Sequence, residues 1–161
     1  MSKNKQLFEE YITQNLEHAY RFAFSYVRNH QDAEDIVSQS VMKALLNVHK
    51  LKDSSYMKTW FFRIIINTAN TYLKKKKRFV FMEYQDISAE QVQSGDYEYL
   101  DLKEQISHLS SPYREIIILR FFEDFSLKEI SETLDENLNT VKTRLYKALR
   151  TLKLEMEDSE L

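Results

Sequence analysis

Apolar positions recur at three- and four-residue intervals through most of the chain, the period of an amphipathic helix. From about Lys5 to Val27 the stripe is Phe8, Ile12, Leu16, Ala19, Phe22, Ala23 and Val27, and Arg28, Asn29 and His30 end it. Asp32 to Asp35 opens a second helix with acids in its first turn, where they suit the helix dipole. Ala33, Ile36, Val37, Val41, Ala44, Leu45 and Val48 keep it amphipathic to about Lys50. Lys52 to Ser55 reads as a short loop. The third helix, Tyr56 to Lys77, is the most apolar and runs into the cations Lys74, Lys75, Lys76, Lys77 and Arg78.

Residues 79–100 differ in kind. They hold Glu83, Asp86, Glu90, Asp96 and Glu98 with no Lys or Arg, include Gly95, and lack firm periodicity. The pattern predicts a flexible acidic linker between a domain at 1–78 and another at 101–161. Beyond it, Leu102, Ile106 and Leu109 predict a short helix. Ser111 as cap with Pro112 as first helical residue starts another, carrying Tyr113, Ile116, Ile117, Leu119 and Phe121. The acidic end, Glu155 to Leu161, reads as a frayed tail.

Ser126 to Arg150 is the stretch around which the second half is organised. Ser126 and Glu129 have the spacing of a capping box, and Leu127, Ile130 and Leu134 give one stripe. Asp135, Glu136 and Asn137 interrupt it, and Asn139 reads as the cap of a second helix through Arg150. At roughly 100° per residue, Val141, Leu145, Ala148, Leu149 and Leu152 share one face. Asn139, Thr143, Tyr146, Lys147 and Arg150 gather opposite, with Lys142 and Arg144 on the flanks. One face packs; the other offers donors suited to phosphates and base edges. That arrangement predicts a helix-turn-helix with a recognition helix, although any solvated amphipathic helix shares part of it.

Composition sharpens the fold class. One Gly and one Pro in 161 residues leave little for the turns of sheets, so the expectation is all-α: two small helical domains. A hydrophobic fraction of 43%, with ten Phe and ten Tyr, supplies cores. The net charge of −2 means that basic patches are local rather than global. The lack of cysteine excludes disulfides and thiolate metal sites and fits a cytoplasmic protein. No signal core or membrane-length apolar run is present.

Little points to catalysis. The four histidines are isolated, and no HExxH, GxSxG or glycine-rich phosphate loop occurs. No cofactor, metal or small-molecule substrate is expected. The helix Tyr56 to Arg78 combines Trp60, Phe61 and Phe62 with Arg63, Asn67, Asn70, Tyr72 and the cationic end, a mixture suited to single-stranded nucleic acid. Trp60 reads as core, and the five adjacent cations as phosphate contacts. Asp32, Glu34, Asp35 and Gln39 form a polar face that is either a set of helix-start acids or a docking surface.

DAEDIVSQSVMKAL, TWFFRIIINTANTYLKKKKR, LSSPYREIIILRFFEDFSLKEISETL and NTVKTRLYKALR, in that order, resemble the extracytoplasmic-function group of the bacterial sigma-70 family over nearly the whole chain. RFFEDFSLKEI and NTVKTRLYKAL look most like sigma-V-type members of low-GC Gram-positive bacteria. The resemblance implies a transcription initiation subunit, not an enzyme. Its domain two would bind core RNA polymerase through Asp35, Ser38 and Gln39. The same domain would open the −10 element and capture a flipped base with Lys52, Asp53, Ser54, Ser55 and Tyr56, near Arg63, Asn67 and Lys74 to Arg78. Domain four would place Asn139, Thr140, Lys142, Thr143, Arg144, Tyr146, Lys147 and Arg150 in the −35 major groove. An anti-sigma factor, often membrane-bound in this family, is the implied inhibitor and would hold the protein at the membrane.

Departures from the family pattern are local. Ser38 stands where Gln is usual and Gln39 where an acid is common. Thr71 replaces an Asp and Lys74 an Arg, and the turn of the helix-turn-helix has Asp135, Glu136 and Asn137 in place of a Gly, of which Asn137 can tolerate a left-handed conformation. Two rival readings remain at this level: a helix-turn-helix regulator that never joins polymerase, and an interaction protein that mimics a sigma factor.

Overall fold

The computed structural model describes residues 2–83 and 97–159, with side chains over 2–76, 102 and 104–153. Every regular element among the described residues is helical: α1 (Lys3–Val27), α2 (His30–Asn47), α3 (Met57–Glu83), α4 (Tyr97–His108), α5 (Ser111–Ile117), α6 (Leu127–Leu134) and α7 (Leu138–Ser159). Short 3-10 turns occupy Val48–Lys50 and Ser54–Tyr56, and a π-helical turn spans Ile118–Phe122. The all-α expectation holds. The chain divides into two compact units, Met1–Asp86 and Ile87–Leu161.

In the first unit α1, α2 and α3 pack pairwise around an aromatic core. Phe8, Phe22, Phe61 and Ile65 are fully buried. Phe8 meets Phe61 edge-on at 5.3 Å between ring centroids, and Phe22 meets Phe62 at 5.1 Å. Such offset and edge contacts stabilise beyond the area that they bury. The α1 stripe shifts from the expected one: Tyr26 is buried, whereas Leu16 is half exposed. Leu16 lies about 80° around the helix from Phe8, at the margin of the face that Phe8, Phe22 and Tyr26 centre.

The join from α1 to α2 is fixed locally. Arg28 takes a left-handed conformation, φ 54°, and its amide donates to the Phe24 carbonyl at 2.8 Å. Asn29 caps α2 by accepting from the Asp32 amide at 3.0 Å. Across this corner the Tyr20 ring stacks on His30, and its hydroxyl bonds to His30 Nδ1. Near the other end, α3 runs five residues past Arg78 to Glu83. Of the expected linker at 79–100, residues 79–83 and 97–100 are thus helical, and 84–96 lie outside the described residues.

In the second unit α7 packs on α4, α5 and α6, burying Ile116, Leu119, Phe125, Ile130 and Val141. Ser110, not Ser111, is the cap of α5, because Ser110 is the extended residue and its carbonyl accepts from Tyr113 and Arg114. The π turn explains why Phe121 is exposed rather than core. Its wide ring, closed by the Glu123 amide on the Ile118 carbonyl at 3.1 Å, shifts the stripe by a residue. Asp124, φ 57°, then reverses the chain, and Phe125 fills the core position instead. The backbone of α7 is helical to Ser159, so the expected frayed end is shorter than Glu155 to Leu161.

Candidate nucleic-acid interface

The α6–turn–α7 unit is built as its sequence predicts, with three local differences. Ser126 accepts from the Glu129 amide at 3.0 Å while Glu129 accepts from the Ser126 amide at 2.9 Å, a complete capping box. The turn's left-handed residue is Asp135, φ 54°, rather than Asn137; α6 ends at Leu134, and the residue that follows takes the αL conformation of a helix C-terminus. Asn137, rather than Asn139, caps α7, its side-chain oxygen accepting from the Asn139 amide at 2.8 Å. Leu149, expected on the packed face, is over a third exposed.

Val141, Leu145, Ala148 and Leu152 bury the inner face of α7. Asn139, Lys142, Thr143, Tyr146, Lys147 and Arg150 are exposed, and Thr140 is half-buried. Two of the cations are held from the side. Arg144 Nη1 lies 3.4 Å from Glu136 Oε1 in the turn, and the Lys147 ammonium sits 5.4 Å from the centre of the Tyr113 ring. Thr143 donates to the Asn139 carbonyl at 2.9 Å, leaving its hydroxyl oxygen as an acceptor. The middle of the face is therefore Asn139, Thr143, Tyr146 and Arg150, with Arg144 and Lys147 braced at one margin.

The second candidate surface lies in the first unit. Lys52, Asp53, Ser54, Ser55 and Tyr56 are all exposed between buried Val48 and buried Met57. Asp53 Oδ1 accepts from both the amide and the hydroxyl of Ser55, at 2.9 and 2.8 Å, and these bonds hold its carboxyl below the usual range. On α3, Arg63, Asn67 and Lys74 are exposed and fall within about 40° of one another around the helix. The cationic end is not a single patch. Lys76 turns away to Asp32 on α2, 3.4 Å from its carboxylate, while Lys74 and Lys75 are exposed. The side chains of Lys77 and Arg78 lie outside the described residues.

A groove of about 370 Å³ opens between α2 and α3, lined by Lys43, Asn47, Lys50, Trp60, Ile64, Asn67 and Thr68. Trp60 sets one edge against Phe8, 6.2 Å between centroids, and is half-buried, so it is both core and lining. Lys43 donates to the Thr68 hydroxyl at 3.1 Å. Lys43 and Lys50 escaped the sequence reading because the residues that complete the groove come from another helix. The spacing Lys43–Asn47–Lys50, from the end of α2 into the 3-10 turn that follows, was the available signal. On a separate face of α2, Asp35, Ser38 and Gln39 are exposed. Met42 and Leu46, also largely exposed, continue the stripe of Asp35 and Gln39. Among the described residues no cluster of His, Asp and Glu could hold a metal ion.

Residues 11–79 match the family model for sigma-70 region 2, and residues 99–152 that for sigma-70 region 4. The RNA polymerase sigma factor SigV of Bacillus subtilis is 41% identical over 98% of this chain and 95% of its own length. The chain belongs to the extracytoplasmic-function group of the sigma-70 family. It is a sigma factor, a subunit that directs transcription initiation. The group member SigW of Bacillus subtilis is 27% identical over 86% of this chain and 83% of its own. The structure of the sigma factor RpoE with the anti-sigma factor NepR from Bartonella quintana is similar too, with a TM-score of 0.77 at 26% identity over 93% of this chain and 96% of that one.

Proposed function

We propose that this sigma factor grips a promoter at two points, with domain two at 1–78 taking the −10 element and domain four at 101–161 the −35 element. The observation that carries this reading is the presence, in one chain, of a region 2 unit with an aromatic and cationic groove and a region 4 unit with an outward cationic recognition helix. A regulator acting without polymerase needs only the second.

In domain four, Arg150 and Tyr146 face the major groove with Asn139 and Thr143, while Arg144 and Lys147 at the margin take phosphates. In domain two, Lys52 to Tyr56 receives a flipped base. Arg63, Asn67 and Lys74 track the displaced strand, and Lys43, Lys50 and Trp60 extend that path. Asp35, Ser38 and Gln39, continued by Met42 and Leu46, dock on core RNA polymerase. Initiation by this chain is binding work, with no covalent step of its own. An anti-sigma factor is a fitting inhibitor, because the similar Bartonella sigma factor was solved with one. The place of action is the cytoplasm; no helix among the described residues is long and apolar enough to cross a membrane.

The test is run-off transcription with purified core polymerase on an AT-rich promoter library. Defined start sites should depend on the added protein. Initiation that is indifferent to it removes the reading.

A further inference from the structure

The segment Lys52–Tyr56 is exposed along its whole length, yet it begins from a point that is tied down at long range. Ser2 caps α1 by accepting from the Lys5 amide at 3.2 Å, which places Asn4 in the first turn. From there the Asn4 side-chain amide donates to two carbonyls that bracket the 3-10 turn after α2: Val48 at 3.3 Å and Leu51 at 2.8 Å. Val48 is buried, and its carbonyl also accepts from the Leu51 amide at 3.1 Å. Leu51 leaves the 3-10 turn in extended conformation, φ −72° and ψ 113°. The Leu51 carbonyl belongs to the peptide that joins it to Lys52, so the bond from Asn4 sets the plane from which the segment departs.

We infer that Asn4 is a positioning residue for the Lys52–Tyr56 loop, holding its entry so that Asp53, Ser54 and Tyr56 meet the displaced strand in one geometry. This rests on the proposed role of that loop at the −10 element. The chemistry is specific to a side-chain amide. Two carbonyl oxygens converge on one nitrogen, and an NH2 group has two hydrogens to offer them. Asn4→Ala removes both bonds. Asn4→Asp keeps the shape but sets a carboxylate oxygen against two carbonyl oxygens, which is repulsive and leaves the acceptors without their donor. The order expected is therefore wild type, then N4A, then N4D. A role in filling space alone would make N4D the milder change.

The experiment measures strand opening by holoenzyme assembled with each variant, using a fluorescent adenine analogue in the −10 non-template strand. Core polymerase affinity and the melting temperature of each variant are measured beside it. N4A should open promoters about five- to thirtyfold less well, the range that follows from losing one to two net hydrogen bonds. N4D should lose more, and selectivity among −10 base substitutions should flatten for both, with core affinity kept. Tyr56→Ala serves as the reference for the loop itself. Wild-type opening by N4A and N4D beside an impaired Y56A overturns the role of Asn4. Wild-type opening by all three overturns it together with the loop's assignment. A loss of opening that disappears once assays are run equally far below each melting temperature shows a role in stability alone, and overturns it as well.

Discussion

The Asp32 carboxylate at the start of α2 holds the Lys76 ammonium of α3 at 3.4 Å, across 44 residues of sequence. The same carboxylate accepts from the Tyr72 hydroxyl one turn earlier on α3. Burial, that hydrogen bond, and the charges of Asp32 and Asp35 push the Tyr72 phenol up from 10.0 to about 12. One acid thus holds both Tyr72 and Lys76 of α3.

A pH dependence follows. Because the folded protein holds the Tyr72 proton more tightly than the unfolded chain does, the stability involved is fully present below pH 10 and is lost as pH rises from 10 toward 12. Tyr72→Phe should flatten the fall in melting temperature over that range. Asp32→Asn should flatten it in part, since burial of Tyr72 remains. Thermal melts of the three proteins from pH 8 to 11.5 decide it, and identical slopes would refute the assignment.

Loss of the capping box should be felt in the second unit alone. Ser126→Ala leaves the Glu129 amide without its acceptor and is expected to cost about 1 kcal/mol. Hydrogen exchange should rise for amides of α6 and its neighbours on α7, and those of α1 to α3 should keep their protection. Equal acceleration in both units would mean that they do not unfold independently.

Asp135 supplies a third case. At φ 54° and ψ 47° it occupies the region where a Cβ costs about 1–2 kcal/mol and Asp is one of the few residues that offset part of it. Asp135→Val should destabilise by about that amount, while D135N and D135G should be tolerated. Urea titrations followed by circular dichroism give the order, and a well-folded, fully stable D135V would show that the turn has another conformation in solution.

On α7, the proposed recognition helix, Arg150 is the exposed cation at the middle of the outer face. If it contacts phosphate, Arg150→Ala should weaken promoter binding by holoenzyme for all −35 sequences and lower the salt slope by about 1. If it reads a base, the loss should be concentrated at one −35 position. Changing Lys147 and Arg150 together to Ala should impair −35-dependent initiation while core polymerase binding persists. Loss of core binding would place that face on the wrong partner.

What the sequence made legible was local or periodic. The capping box needs only Ser126 and Glu129 three residues apart, and the buried face of α7 needs only the helical period, so both could be read directly. The caps at Ser110 and Asn137 were misplaced by one and two residues, since Ser, Asn and Pro neighbours offer several nearly equivalent starts. A regular period puts Phe121 in the core because it cannot anticipate a π turn. The groove between α2 and α3, the Asp32–Lys76 pair and the Asn4 tether were invisible for another reason. Each joins positions tens of residues apart, and no local pattern marks one partner as waiting for the other.

Trp60 is the chain's one tryptophan, and its placement has a practical consequence. Half-buried on the wall of the α2–α3 groove with an edge against Phe8, it is an intrinsic optical reporter carried by the first unit, and the second has no tryptophan. Indole emission will shift when that unit melts and should respond when the groove fills, whereas far-ultraviolet ellipticity follows all the helices together. Recording both signals on one unlabelled sample separates the two halves of the molecule without a single substitution.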